Sequence, residues 1–269
     1  MTIIQAIILG LIQGLTEFIP VSSSGHLLLL PEFFGWQEQP TSFDIVLHGG
    51  TLLALIIYFY PKLKKLVKGI LNREWEQIKL GKKILLGAIP AGALGILISI
   101  VDYMTNDAVD NFLKTNLLVI IMIIGIGVLL IISDIIYKNN KKEIKEIGLK
   151  ETFIIGIGQC LSLLRGTSRS GITILTGLTQ KLSRKEAAEF SFLMSIPLIF
   201  SAFCYQVFKF ILENNMNIEI TNLMAGFLAA FISGLIAIKF MLRFLKKQGL
   251  SIFGMYRIIL GIVVIIILI

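Results

Sequence analysis

Six long apolar stretches dominate the chain, at 42–60, 83–101, 117–136, 188–208, 222–243 and 251–269. A helix crosses a hydrocarbon core of about 30 Å with about 20 apolar residues, so each stretch reads as a membrane span. Of the 269 residues 55% are hydrophobic and 16% charged, against roughly 25% charged in a soluble domain. An ordinary soluble enzyme, a disordered chain and a nucleic-acid-binding domain are excluded. The net charge of +8 therefore reads as orientation and not as a nucleic-acid footprint. Cys160 and Cys204 lie in apolar stretches without paired spacing. They read as small buried hydrophobes, with no disulfide framework or zinc site.

The charges sort by loop. Segment 61–83 holds eight Lys/Arg and segment 137–150 five; Lys181, Arg184 and Lys185 form a third basic loop, and Arg243, Lys246 and Lys247 a fourth. The other connections are acidic or sparse: Glu32, Glu38 and Asp44, then Asp102, Asp107 and Asp110 with Lys114, then Lys209, Glu213 and Glu219. The positive-inside rule puts the basic loops in the cytoplasm and the acidic ones outside.

Two further apolar regions, 1–30 and 151–180, are interrupted by Gly, Pro, Ser, Thr and charged residues. Each reads as a broken, re-entrant helical hairpin, because non-helical backbone at membrane depth must be buried in protein or line a cavity. Region 151–180 is flanked by basic loops and returns inside, whereas region 1–30 enters and returns from outside. The expected fold is all-α: a polytopic integral membrane protein with six full transmembrane helices and two re-entrant hairpins. It forms one membrane domain over 1–269, an inverted-topology repeat of 1–150 and 151–269, with the C-terminus outside. The functional site is expected where the two broken elements meet.

The first hairpin carries Gln13 and Glu17, four apart and on one helical face. Pro20 then breaks the helix, followed by Ser22, Ser23, Ser24, Gly25 and His26. An intramembrane carboxylate is expensive and marks function; the serines suit either chemistry or close helix packing. The second hairpin carries Arg165, Gly166, Thr167, Ser168, Arg169, Ser170 and Thr173. A loop ending at the helix 171–180 offers free N–H groups to an anion. Arg169 adds a planar fork matched to phosphate, and Ser168, Ser170 and Thr173 add donors. Arg165 is equally a phosphate contact or a snorkelling side chain. Acid, base and hydroxyl on one hairpin and cation on the other are the parts of phosphoryl transfer. Read from the residues alone, this is a membrane-embedded enzyme or carrier for a phosphorylated lipid.

At these residues the chain resembles the undecaprenyl-diphosphate phosphatase, or bacitracin-resistance, family over essentially its whole length. One shared motif is a Glu/Gln-x-x-x-Glu element leading into Pro-Val-Ser-Ser-x-Gly-His, here Gln13 and Glu17, then Pro20 to His26. The other is Pro-Gly-x-Ser-Arg-Ser-x-x-Thr, here Gly166 to Ser170 and Thr173. The run Glu189 to Pro197 is similar as well. The resemblance implies hydrolysis of a polyprenyl diphosphate to the monophosphate, recycling the carrier for cell-wall polymers and conferring bacitracin resistance. It implies Mg²⁺ or Ca²⁺ as cofactor, a membrane lipid as substrate, no nucleic acid, homodimers, and a cell-membrane location with the active site facing outside. By resemblance Glu17 is the acid/base or metal-associated carboxylate, with Gln13 beside it at the metal. Ser23 and His26 are nucleophile and activator, with His26 or a water as alternative nucleophile. Arg169 acts in catalysis, and Ser22, Ser24, Gly166, Thr167, Ser168, Ser170 and Thr173 bind the diphosphate with Gln13.

Three positions depart from the pattern. Gln13 stands for the more frequent Glu, Arg165 stands where the family has Pro, and His48 where relatives often have Gln. His48 reads as a packed polar residue near the site. The alternative function is a polyprenyl-phosphate flippase using the same phosphate site.

Overall fold

The computed structural model describes residues 1–37, 39–106, 108–113, 115–213 and 219–268. Glu38, Asp107 and Lys114 of the acidic connections lie outside them, as do the side chains of Asp110, Lys209 and Glu213. The described chain is helical: α1 (Ile3–Phe18), α2 (Ser23–Phe33), α3 (Thr41–Tyr58), α4 (Tyr60–Leu71), α5 (Trp75–Met104), α6 (Ala108–Leu113), α7 (Asn116–Ile136), α8 (Leu149–Cys160), α9 (Arg169–Thr179), α10 (Arg184–Glu213), α11 (Ile220–Phe244) and α12 (Ser251–Leu268).

Among the described residues four helices, α5, α7, α10 and α11, are long and apolar enough to cross a membrane, and five spans result if the bent pair α3–α4 counts as one. The stretch 42–60 forms α3, which ends within two residues of the expected boundary. Its helix stops at Tyr58 and turns by 71° into α4, because Pro61 occupies the first turn of a new helix and its ring cannot continue the old one. Stretch 251–269 forms a shorter apolar helix. Cys160 and Cys204 are free, but Cys204 is exposed on α10 and Cys160 only half-buried.

Both interrupted regions are helix–break–helix. α1 ends at Phe18, two residues before Pro20, and α2 starts after Ser22, whose backbone lies at φ 77° and ψ 92°. The second region repeats this geometry: α9 starts after Ser168, at φ 71° and ψ 108°. Left-handed backbone is costly for a residue with a Cβ, on the order of 1–3 kcal/mol. Each serine offsets part of the cost by capping its helix. Ser22 Oγ accepts from Gly25 N at 3.2 Å and Ser168 Oγ from Gly171 N at 3.1 Å. The spacing from the fully buried Gln13 to Ser22 equals that from the fully buried Gln159 to Ser168.

The supporting helices are held close by small residues. α1 packs against α11, where a Cβ at Gly10 would overlap Gly226 O and one at Gly14 would overlap Ser233 Oγ and Ala230 O. α8 packs against α5 in the same way, with a Cβ at Gly156 lying 2.7 Å from Gly87 O. Close backbone approach through small residues is how helices associate where lipid removes the hydrophobic drive. The basic connections gather at one end. Lys142 N donates to Lys181 O and Ser183 N to Lys142 O, and Lys62, Lys185, Arg243 and Lys246 line one cavity there.

Because Gly14 lies one turn before Glu17, its contact with α11 sets the depth of that carboxylate. Gly14→Val should cost about 1–3 kcal/mol by overpacking, lowering the thermal unfolding midpoint in detergent, with Gly14→Ala intermediate. Equal midpoints for wild type and Gly14→Val would contradict the packing.

Candidate active site

The two breaks meet at one carboxylate. Glu17 projects from the last turn of α1 and is buried. Its Oε2 accepts from Gln13 Nε2 at 3.1 Å and from Ser23 Oγ at 2.7 Å. Its Oε1 pairs with Arg169 Nη2 at 2.8 Å. Ser23 and Arg169 are the first residues of α2 and α9. A helix N-terminus carries roughly half a positive charge. The carboxylate thus sits where two helix starts and a guanidinium converge, the setting in which proteins bind anions.

Arg169 Nη1, Thr167 Oγ1 and Gln13 Oε1 are buried and have no hydrogen-bond partner among the described residues. Unpaired buried polar atoms are costly, on the order of 1–3 kcal/mol each, and two of these three are donors. Gly166, at φ 87°, lets the chain pass close to α7, since a Cβ there would lie 2.5 Å from Val119 O. Its N–H donates to Ser24 Oγ at 3.5 Å, joining the two breaks directly. His48, from α3, brings Nε2 to 3.9 Å from Glu17 Oε2, while its Nδ1–H donates to Asp44 O. The residue read as merely packed nearby faces the carboxylate itself.

Four hydroxyls placed among the phosphate contacts are committed to the fold. Ser22 and Ser168 are caps. Thr173 donates back to Arg169 O and meets Ser191 Oγ, and Ser170 reaches Ser168 Oγ and Ile19 O. Ser22, Ser170 and Thr173 are 0%, 0% and 1% exposed. For Ser170 and Thr173 the difference arises because α9 begins at Arg169 instead of 171, which carries these two side chains onto its buried face.

His26 also differs from a simple Ser23 activator. Its Nδ1–H donates to the carbonyl of Ser22 at 2.7 Å, so the neutral ring presents Nε2 as an acceptor, 2.7 Å from Tyr256 Oη. The two rings are nearly parallel, with centroids 5.8 Å apart and Tyr256 Oη at the imidazole edge. The nearest acceptor for the Ser23 proton is Glu17. Tyr256 and its neighbour Arg257, which is fully buried, were not legible as site residues from spacing. An arginine inside an apolar stretch is the signal that could have marked them.

A family model described as bacitracin resistance protein BacA matches residues 6–263. The chain belongs to the BacA family. A relative from Caldicellulosiruptor bescii, named undecaprenyl-diphosphatase, is 40% identical over 265 residues, covering 98% of this chain and 97% of its own. Proteins of the same name from Sulfurihydrogenibium sp. and Colwellia psychrerythraea are 38% and 39% identical, over 97% of this chain and 98% and 97% of theirs. With its apolar helices, BacA membership makes this a multi-pass membrane protein.

In this BacA chain the Glu17–Arg169 pair is buried on both sides, with side chains 6% and 12% exposed. Removing one partner of such a pair strands the other and costs about 3–5 kcal/mol, whereas replacing both with apolar groups is often neutral. Glu17→Leu and Arg169→Leu should each lower the melting midpoint clearly, and the double variant should recover most of the loss. Additive losses in the double variant would show that the two charges are not coupled.

Proposed function

We propose that the chain hydrolyses the terminal phosphate of a polyprenyl diphosphate, undecaprenyl diphosphate by its relatives' names. The products are the lipid monophosphate and inorganic phosphate, and the reaction recycles the carrier for cell-wall polymer synthesis. The observation that carries the reading is the Glu17 carboxylate, held jointly by Ser23 and Arg169 at the starts of α2 and α9. Arg169 Nη1, on the same guanidinium, and Thr167 Oγ1, two residues earlier in the chain, are buried with no partner among the described residues.

In the proposed reaction the terminal phosphoryl lies against Arg169 Nη1, Thr167 Oγ1 and the two helix starts, which offset charge developing on its oxygens. Arg169 Nη2 stays on Glu17. Ser23 Oγ attacks phosphorus and passes its proton to Glu17 Oε2, to which it already donates. The bridging P–O bond breaks, and the polyprenyl monophosphate leaves with the electron pair and takes the proton from Glu17, which restores the carboxylate. Water then attacks the phosphoseryl, its proton taken up at the carboxylate, and phosphate is released as Ser23 recovers its hydrogen. His26 holds the Ser22 turn through its carbonyl and so positions Ser23.

A divalent cation, Mg²⁺ or Ca²⁺, belongs to the proposal. The residues fit a hard cation that takes part of its ligands from substrate phosphates: Gln13 Oε1 is a buried oxygen without a partner, next to the Glu17 carboxylate. Among the described residues no group of three or more His, Cys, Asp or Glu could hold a metal alone. Gln13 and Glu17 would hold the ion together with the diphosphate, and when bound it would neutralise phosphate charge.

We also propose six spans in an inverted repeat of 1–150 and 151–269. α3 serves as the span of the bent pair and α12, about 27 Å long at 1.5 Å per residue, as the sixth. The support is the matched breaks at Ser22 and Ser168. The packing of α1 on α11 and of α3 on α11 also mirrors that of α8 on α5 and of α10 on α5. With basic connections in the cytoplasm, the site faces outside, as does the C-terminus. Homodimers are part of the same family-based reading.

The test is phosphate release from farnesyl or undecaprenyl diphosphate by the purified chain in detergent, where no second leaflet exists for a flippase to serve. We expect Mg²⁺- or Ca²⁺-dependent release in the wild type, lost on chelation. Arg169→Ala should lower kcat about 10²–10³-fold, and Glu17→Gln about 10²–10⁴-fold. Wild-type rates in both variants would overturn the assignment; binding without release would favour the flippase.

A further inference from the structure

Arg257 is the largest fully buried side chain described, and it lies outside both breaks, on α12. Every hydrogen bond described for it ends on a backbone carbonyl. Nε donates to Ile123 O at 3.0 Å and Nη2 to Met122 O at 3.0 Å, both on α7. Nη1 donates to Pro20 O at 3.3 Å in the first break, and Nη2 also to Gly166 O at 2.7 Å in the second. The guanidinium has five N–H donors in a fixed plane, and four are used to tie three segments of chain together. α12 can bring it there because it crosses α7 glycine to glycine: a Cβ at Gly254 would lie 2.5 Å from Gly127 O, and one at Gly127 3.0 Å from Gly254 O. Gly254 is one turn before Arg257.

Pro20 and Gly166 are not helical, so no helix ladder occupies their carbonyls. They directly precede the turns that present Ser23 and Arg169. A single rigid fork on both carbonyls fixes one break relative to the other. Lysine cannot replace it: its ammonium keeps the charge but offers three donors from one point and no plane.

We propose that Arg257 is a positioning residue for the phosphoryl transfer, setting the separation of the Ser23 and Arg169 turns through Pro20 O and Gly166 O. The inference rests on the hydrolytic reading above. It predicts a selective kinetic defect, because misplacing reacting groups by about 1 Å costs on the order of 10²-fold while leaving substrate contacts in place.

The experiment compares Arg257→Lys and Arg257→Gln with Val264→Ala, a cavity in the same helix among Leu29, Val119, Ile120 and Ile123. The full-length chain is purified in detergent, melted, and assayed below the transition with farnesyl diphosphate, per folded molecule. We expect folded Arg257→Lys with KM changed less than about threefold and kcat reduced about 10²-fold. Val264→Ala should melt lower but keep the wild-type kcat. A kcat for Arg257→Lys within about twofold of wild type overturns the inference, as does a rise in KM alone, which would mark uniform substrate binding. If both Arg257 variants fail to fold while Val264→Ala folds, Arg257 anchors the fold and the positioning role falls. Absence of phosphate release by the wild type would sink the hydrolytic reading instead, so the two failures are distinguishable.

Discussion

Glu17 and Arg169 approach to 2.8 Å inside a bundle whose outer faces are apolar. Moving a carboxylate and a guanidinium out of water costs several kcal/mol per ion, returned only with good geometry and further hydrogen bonds. Neither hairpin supplies both. The first has the carboxylate, with Gln13 and Ser23 as donors; the second has the guanidinium. Each region is tolerable at membrane depth only in contact with the other, so this pair requires the breaks to converge. The convergence in turn places two helix N-termini on one carboxylate, so the starts of α2 and α9 face a common point.

The same constraint accounts for the backbone. To aim its first residue at a shared point, each second helix starts after a serine in a left-handed conformation, at φ 77° and 71°. Glycine would adopt this angle without strain but could not cap the next turn. Serine accepts the strain and returns a cap to Gly25 or Gly171 N. Arg257 meets the remaining demand of the breaks, their carbonyls, from a third direction. Carboxylate, caps and guanidinium thus satisfy different polar groups of one irregular region that lipid could not satisfy.

What could be read from sequence follows from what each signal measures. Hydropathy reports transfer cost along the chain, and it located α5, α7, α10 and α11 and the two interruptions. It is blind to direction, so it placed the end of α3 but not the helix α4 that turns away by 71° at Pro61. Glu17 and Arg169 stood out because charge in an apolar setting is costly. The hydroxyls did not sort themselves, because one serine can donate to a ligand or cap a helix, and only the rotation of α9 decides between these. Thr173 therefore faces Ser191, and Thr167, one residue before a cap, keeps a partnerless hydroxyl. Tyr256 lies 230 residues from His26 in sequence, and no local spacing joins them.

On the hydrolytic reading, the ion pair need not break for substrate to bind. Arg169 uses Nη2 on Glu17 Oε1, and Nη1 is buried without a partner among the described residues. A planar fork can hold a carboxylate on one nitrogen and a phosphoryl oxygen on the other, fixing their separation by its own covalent geometry. Ser23 already donates to the other carboxylate oxygen. Nucleophile, base and electrophile are then spaced by one side chain and one carboxylate, so little reorganisation remains for the reaction step. An ammonium could neutralise the same charges but would bind them from a single point. The requirement at this position is therefore for the shape of arginine as much as for its charge.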